Sequence, residues 1–387
     1  GAGIWDGWDP RDEIYSDRRD EDDDLPGPDG KPVGKRKDSR LLVLRVEDRS
    51  GKPMALLHSF PIHGTIAGDG NPLFSVEASG HIDLALEDRL DSPVMVMHLQ
   101  GPAGDISPRG RFGSEHCDSK KSLCENYARM ESIGELAAPR ILSLWQKIAT
   151  SETAALEVVT RSVENGRNVI QVRGDMSYAP YRSGQEVDTS KTAIYNPDGS
   201  VRSPIAQFNV EAGAGLCGGK KPMLPVDGIE GAQGVPYASC ADIGRASKFI
   251  SDLLKVPLPQ EGAPSCETTR ATLSALRLGQ IPVLRRTGDP TMPPSEESRE
   301  ESLVLATLPG EPVTQIADLI RSRSPVGADK TFVVGYAQGH VGYILGVENW
   351  LLGGYEPSIN LFGPLEGEWL AERAVELVQL ASSPVRE

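Results

Sequence analysis

The sequence predicts a single large α/β domain, in which a mixed β-sheet is flanked by helices and long loops. Apolar runs of strand length alternate with amphipathic stretches of helical period along the chain. No clear linker divides the 387 residues, of which 39% are apolar. That composition can bury a sizeable core and is too apolar for a disordered chain.

Residues 1–40 differ from the rest and are predicted to form an irregular acidic leading segment before a domain that spans 41–387. The run from Asp20 to Asp24 is entirely acidic, and Gly and Pro punctuate the residues after it. The first residues, Gly1 to Trp5, have no initiator Met and no signal-peptide pattern. We therefore expect a processed product or a shortened chain.

Strand-like runs are apolar, often β-branched, and bounded by turn residues. One pair flanks an acidic insertion at Gly288–Glu301. The predicted strands are Leu41–Val46, Met54–Phe60, Val94–Leu99, Leu156–Val159 with Val169–Val172, Ala271–Leu278, Ser302–Leu308 and Thr331–Tyr336.

Three stretches have apolar residues at helical spacing. They are Cys124–Ala149, with a kink expected at Pro139, then Pro312–Arg321 with Pro at its start, and Gly367–Ala381. Residues 180–264 are rich in Gly and Pro without periodicity, and we expect them to form loops that shape a substrate entrance.

The net charge of −15 argues against a nucleic-acid partner, because phosphate backbones select surfaces rich in Lys and Arg. The longest apolar runs, such as Val94–Leu99, are far shorter than the ~20 residues that cross a bilayer. We therefore expect no transmembrane segment.

Five cysteines bear on the compartment of the protein. Cys117 and Cys124 bound a short polar loop, which fits a small disulfide better than a zinc knuckle, with two free thiols as the alternative. Cys217 could pair with Cys240 or with Cys266. This usage favours an oxidising location: secreted, periplasmic or on the extracellular face of a membrane.

Two turns that follow predicted strands carry candidate site residues. His63 follows the strand Met54–Phe60 and precedes a Gly, so its ring could project into a cleft or simply bond a neighbouring carbonyl. Ser107 stands in the Gly-Asp-Ile-Ser-Pro segment after Val94–Leu99, where two glycines and Asp105 favour a sharp turn. This segment is not the Gly-x-Ser-x-Gly motif of many hydrolases.

Two further strand ends carry polar groups. Glu311, in Leu-Pro-Gly-Glu-Pro, could cap the following helix or ligate a metal. The segment from Gly335 to Tyr343 carries two tyrosines and His340 between glycines, which could equally be packing groups.

Together and in this order, these motifs resemble the neutral/alkaline (non-lysosomal) ceramidase family, from about Arg40 to Pro364. The most specific element is the segment Gly104–Pro108, which is similar to the Gly-Asp-Val-Ser-Pro of the family. The Cys117–Cys124 loop also falls where the family has a disulfide loop. The resemblance implies hydrolysis of the N-acyl amide of ceramide, or of a related lipid amide, to a fatty acid and an amine.

The resemblance also implies a catalytic zinc ion, bound in the family by two His, one Glu and one Tyr. The matching metal ligands in this sequence are His63, Glu311 and Tyr343. Ser107 matches the serine assigned as the nucleophile of the family, although it could instead orient water or substrate. Zinc with an open position polarises a carbonyl and acidifies bound water.

The first zinc-binding His of the family has no counterpart, since no His precedes His58. We expect a missing N-terminal piece, a separate chain or segment that supplies this ligand. The alternatives are a chain shortened before this point and replacement by His340 or His98.

Other departures concern the substrate. Glu77 stands where the family has Asp, and Arg109 where it often has Asn. Val313 stands for the first Thr of a Thr-Thr pair. These changes favour a different acyl amide as much as ceramide itself. The alternative function is a non-catalytic binding or scaffold protein with an incomplete metal site, and a third is a hydrolase that uses Ser107 without metal.

Overall fold

The computed structural model describes residues 1–17, 37–67, 71, 75–110, 123–165, 269–346, 349, 356 and 366–383. In this part of the chain, eight strands form one sheet with the order β11-β9-β8-β1-β3-β4-β5, and β7 pairs with β8. The strands are β1 (Ala2–Asp6), β3 (Arg40–Glu47), β4 (Pro53–Phe60), β5 (Met95–Gln100), β7 (Ala155–Asn165), β8 (Thr269–Thr287), β9 (Ser295–Thr307) and β11 (Thr331–Val334).

Four short strands form two small ribbons beside the sheet. β2 (Tyr15–Asp17) pairs with β6 (Ile106–Pro108), and β10 (Glu311–Pro312) pairs with β12 (Tyr343–Ile344). The described helices are α1 (Glu77–Glu87), α2 (Leu123–Trp145), α3 (Thr314–Ser322) and α4 (Glu366–Ser382), with a 3-10 turn at Ala328–Lys330. Among the described residues, no helix is long and apolar enough to span a bilayer.

The sheet is mixed. β1 runs parallel to β8 but antiparallel to β3, and β4 runs parallel to β5. Side chains alternate across the strands, so Leu41 and Val43 pack in the cluster with α1 and α2, whereas Leu42 packs in another cluster. α3 and α4 pack together against β8, β9 and β11. The prediction of an α/β domain with a mixed sheet and flanking helices is confirmed.

The first residues of the chain lie inside the sheet rather than in an irregular segment. β1 bonds to β3 on one side and to β8 on the other, with Ile4 opposite Leu42 and Arg285. The prediction of an irregular segment 1–40 therefore does not hold for residues 2–6. Partners on both sides stabilise a strand whose own Gly and Asp give little pattern.

The acidic insertion Gly288–Glu301 is largely strand. β8 and β9 form a long antiparallel pair that continues through it, with Arg286 opposite Glu296. Arg285 forms an ion pair with Glu301 at 2.6 Å. Cross-strand pairs of opposite charge stabilise strands that have no apolar alternation.

Two helices agree with the sequence in place and differ at their ends. α2 runs through Pro139 and ends at Trp145, four residues before the predicted end. α3 begins at Thr314 rather than at Pro312, because Glu311 and Pro312 pair with β12.

Several sequence predictions fall outside the described residues. The segment Val169–Val172 and the loop region 180–264 lie there, as do Cys117, Cys217, Cys240 and Cys266. Cys124, in the first turn of α2, is disulfide-bonded. Its pairing with Cys117 stays a prediction.

Candidate functional site

The candidate site lies at the β10–β12 ribbon, beside the segments that follow β4 and β5. Glu311 and Tyr343 are direct partners in this parallel ribbon. His63 lies three residues after the end of β4, and the Gly104–Pro108 segment follows β5. β4 and β5 are parallel neighbours, so the chain leaves both at the same edge of the sheet.

Two side chains from distant parts of the sequence, the buried Tyr343 and the partly buried Glu311, lie against the buried His63. Its Nε2 lies 3.2 Å from Glu311 Oε2 and 3.4 Å from the hydroxyl oxygen of Tyr343. The His63 and Tyr343 rings are nearly parallel, with an interplanar angle of 11°. The structure thus brings together three of the four predicted site residues.

The orientation of the His63 ring follows from its second nitrogen. Nδ1 lies 2.8 Å from the carbonyl oxygen of Ala103, which can only accept a hydrogen bond. Nδ1 therefore carries the proton, and in the neutral ring Nε2 presents its lone pair to Glu311 and Tyr343. A histidine whose Nδ1 donates to a carbonyl is the arrangement common to metal-binding imidazoles.

Glu311 is ionised in this site. Burial raises the pKa of its carboxyl, but the neighbouring His63, Tyr336 and Tyr343 side chains outweigh burial and bring the pKa to about 2. Its second oxygen, Oε1, lies 3.0 Å from His340 Nε2. The carboxylate is therefore held on two sides.

Tyr336 belongs to the site although it was not among the predicted residues. Its hydroxyl lowers the pKa of Glu311, and its ring meets that of His63 edge-on. Its backbone is left-handed (φ 55°), which is uncommon for a bulky residue and is typical of functional sites. The signal in the sequence was the Gly before it, within the motif that leads to Tyr343.

Gly104 and Asp105 bond to the backbone just after Glu311, at Pro312 and Thr314. The Gly104 N–H donates to the carbonyl of Pro312 at 2.9 Å, and a Cβ on Gly104 would lie 2.6 Å from the Glu311 carbonyl oxygen. Asp105 accepts from the N–H and hydroxyl of Thr314. Only a glycine permits so close an approach of two backbones.

Ser107 lies on β6, which pairs with β2 so that Ser107 faces Ser16 across the ribbon. Arg109 donates to the Ser16 hydroxyl. Ser107 is partly exposed, and among the described residues no hydrogen bond joins it to His63, Glu311 or Tyr343.

Glu77 holds the turn after His63. Its carboxylate accepts from the N–H groups of Ile66 and Ala67 at 3.0 and 2.9 Å. The residue that replaces the Asp of the family thus has a structural role in this chain.

The two histidines proposed as substitutes for the missing ligand lie apart. His340 meets Glu311 at the oxygen that His63 does not contact. His98 lies against His58 and Gln100 instead. Within the described residues, no group of three His, Cys, Asp or Glu side chains is arranged to hold a metal ion. The converging set contains only two such residues, since its third member is Tyr343.

Comparisons with known proteins were made in sequence and in structure. No family model matches the chain. It is 24% identical over 359 residues to neutral ceramidase B of Dictyostelium discoideum, which covers 84% of this chain and 45% of that protein. The chain is also 24% identical over 362 residues to neutral ceramidase A of the same organism, a match that covers 84% of this chain and 46% of that protein.

Two solved structures similar to the chain are ceramidases. The neutral ceramidase from Pseudomonas aeruginosa superposes with a TM-score of 0.58 at 16% identity, covering 100% of this chain and 52% of that one. A ceramidase complexed with C2 superposes with a TM-score of 0.57 at 16% identity, covering 100% of this chain and 54% of that one. The chain spans about half the length of the curated relatives it matches. The resemblance to neutral ceramidases is confirmed in sequence and in fold.

Proposed function

We propose that this relative of the neutral ceramidases is a zinc-dependent amidohydrolase. It would cleave the N-acyl amide of ceramide, or of a related lipid amide, to a fatty acid and an amine. The observation that carries the proposal is the convergence of His63 Nε2, Glu311 Oε2 and the Tyr343 hydroxyl within a fold similar to that of neutral ceramidases.

The spacing of these atoms fits a zinc ion. Two ligand atoms that bind one tetrahedral zinc at about 2.0–2.2 Å are about 3.3–3.6 Å apart. The two separations from His63 Nε2 are 3.2 and 3.4 Å. Glu311 Oε2 is buried without a hydrogen-bond partner among the described residues, since His63 approaches it outside hydrogen-bond geometry. A buried carboxylate oxygen facing an imidazole lone pair favours a cation between them.

Each protein group would have a separate part in the reaction. His63, Glu311 and Tyr343 would hold zinc, which supplies polarisation of the amide carbonyl when bound. Ala103 fixes the His63 ring, and the low pKa of Glu311 keeps its carboxylate charged. Three protein ligands would leave a position open at a tetrahedral zinc, which the further His of the family or water would occupy.

Ser107 is proposed to meet the substrate rather than the metal. A serine nucleophile needs a base within hydrogen-bond reach, and no described residue supplies one. The further His that the resemblance implies would come from a separate N-terminal chain or segment. We also propose an exported, oxidising location, which the disulfide of Cys124 supports.

The alternative is a non-catalytic binding or scaffold protein on this fold. The residue changes at Glu77 and Arg109, together with the isolated Ser107, favour it. A protein of this kind would keep the fold and bind neither zinc nor a hydrolysable amide productively.

The test combines metal content with hydrolysis of a fluorescent N-acyl sphingosine by protein expressed from the uncut gene. We expect about one zinc per chain, as a single site requires, lost in His63→Ala and Glu311→Ala. Ser107→Ala should keep the zinc and lose activity. His81→Ala, a histidine on α1 whose ring contacts Tyr127, is the matched control and should keep both. A wild-type protein without zinc would favour the binding-protein alternative.

A further inference from the structure

The buried His58 and the half-buried His98 lie side by side, away from the candidate metal ligands. His58 on β4 and His98 on β5 are partners in the parallel ladder, and their Nδ1 atoms are 3.3 Å apart. His58 is fully buried, and its Nε2 lies 2.7 Å from Asp83 Oδ1 on α1. Buried polar groups that the catalytic site does not use require another explanation.

The pair leads to Gln100, the last residue of β5. His98 Nε2 lies 3.3 Å from Gln100 Oε1. The amide of Gln100 bonds to both backbone groups of Ile62, with Oε1 3.0 Å from the N–H and Nε2 2.5 Å from the carbonyl oxygen. Ile62 directly precedes His63.

Gln100 also holds a second part of the site. Its backbone carbonyl accepts from the Gly335 N–H at 2.9 Å, and Gly335 directly precedes Tyr336. Gln100 therefore bonds to Ile62, which precedes the candidate ligand His63, and to Gly335, which precedes Tyr336.

The direction of each hydrogen bond in the series from Asp83 through His58 and His98 to Gln100 can be worked out from the two ends of the series. A backbone N–H only donates and a carbonyl only accepts, so Ile62 fixes the orientation of the Gln100 amide. Gln100 Oε1 must then accept a hydrogen bond from His98 Nε2. Burial, then the charge of His58, lower the pKa of His98 to about 3, so His98 carries one proton only and its Nδ1 is an acceptor.

His58 must therefore donate from both nitrogens. Its Nδ1 donates to His98, and its Nε2 donates to the Asp83 carboxylate. A neutral His58 would leave two lone pairs facing each other at one link, either at His98 or at Asp83. The arrangement in which every link is satisfied has a doubly protonated His58, whose charge is paired with Asp83.

We propose that Asp83, His58, His98 and Gln100 form one directional hydrogen-bonded chain that positions His63, with Gln100 as the positioning residue. The proposal rests on the proposed function only where it concerns zinc. The chain acts through the backbone of Ile62, and partners of this kind typically change metal affinity 10–100-fold when removed.

Asp83→Asn is the sharpest perturbation because it keeps the shape and removes the charge that stabilises the second proton on His58. The Asn amide can donate to the bare Nε2 of a neutral His58, so the later links keep their direction and only the second proton is lost. Gln100→Met instead removes both side-chain bonds to Ile62. Glu87→Gln is the matched control, because Glu87 lies one turn later on α1 and is exposed.

The experiment uses nitrogen NMR of ¹⁵N-histidine-labelled full-length protein, hydrogen exchange of the Ile62 amide, and zinc affinity by chelator competition. In the wild type we expect two N–H nitrogens on His58 and a bare Nδ1 on His98. Asp83→Asn should lose one His58 proton. Gln100→Met should speed Ile62 exchange about tenfold and weaken zinc binding at least tenfold.

The readouts separate the two proposals. Wild-type protein that binds no zinc overturns the proposed function, whereas the histidine protonation pattern and Ile62 exchange still decide the chain. A singly protonated His58 in the wild type overturns the positioning chain. So do Ile62 exchange and zinc affinity that are the same in Gln100→Met as in Glu87→Gln.

Discussion

Asp105 and Thr314 are 209 residues apart in sequence, yet Asp105 Oδ1 accepts hydrogen bonds from both the N–H and the hydroxyl of Thr314, at 2.9 and 3.0 Å. Thr314 is the first residue of α3, and Asp105 is buried. The loop after β5 thus caps the helix that begins three residues after Glu311. The acidic residue of the Gly-Asp-Ile-Ser-Pro segment ties two parts of the site together.

We expect Asp105→Ala to lower the free energy of unfolding by about 2 kcal/mol, because it removes a helix cap and two bonds to a buried carboxylate. Asp105→Asn keeps an acceptor oxygen and should cost less than half as much. Urea unfolding of the metal-free protein measures both. Asp289→Ala is the control, since Asp289 makes the same pair of bonds to Thr291 in an exposed turn. An equal loss in the control would contradict the prediction.

Gly104→Ala should separate the loop from the strand that carries Glu311. The added Cβ would lie 2.6 Å from the Glu311 carbonyl oxygen and 3.0 Å from Pro312 backbone atoms, so one backbone must move. We expect zinc affinity and amide hydrolysis each to fall at least tenfold, since ligand placement is sensitive to shifts of about 1 Å.

The control for this change is Gly279→Ala. Its Cβ would meet the Ala155 side chain at 3.2 Å, a contact that a small shift relieves. Gly279 lies on β8 opposite Ala155 of β7. Normal zinc binding in both variants would show that the close approach at Gly104 is not needed.

The strands β3, β4 and β5 could be predicted within one or two residues, because each is an apolar run between turn residues. β1 could not, since its five residues depend on pairing with two strands far away in sequence. The acidic half of β9 was missed for the same reason: its partners Arg285 and Arg286 supply the stabilisation.

The candidate site divides in the same way. His63, Glu311 and Tyr343 could be named as ligands because the motifs that carry them resemble, in order, those of the ceramidase family. Tyr336 could not, because its contribution depends on its left-handed backbone. The His58–His98 contact follows from the register of β4 on β5, which the sequence does not encode in any local pattern.

His340 is expected to orient Glu311 rather than to bind zinc. It contacts Glu311 Oε1, whereas His63 faces Oε2, and its side chain is 48% exposed. His340→Ala should therefore weaken zinc binding up to about tenfold and leave about one zinc per chain at saturation. Chelator competition and elemental analysis measure the two quantities. Loss of zinc at saturation would instead make His340 the substitute for the missing histidine of the family.

Glu311 should also make the stability of the metal-free protein dependent on pH. Its pKa is about 2 in the folded protein, because His63, Tyr336 and Tyr343 outweigh the effect of burial, against an ordinary value of 4.5. A carboxyl with a depressed pKa stabilises the fold above the unfolded pKa and loses that contribution as pH falls towards the folded one.

Between pH 7 and pH 3.5 the wild type should therefore lose about 1.5 kcal/mol more stability than Glu311→Gln, which cannot titrate. Urea unfolding at the two pH values, with chelator present, measures the difference. Glu87→Gln is again the control, and its loss should match that of the wild type, because within the described residues no hydrogen bond or ion pair reaches the Glu87 carboxylate. Equal pH dependence in the wild type and Glu311→Gln would mean that the carboxylate gains nothing from its neighbours when the metal is absent.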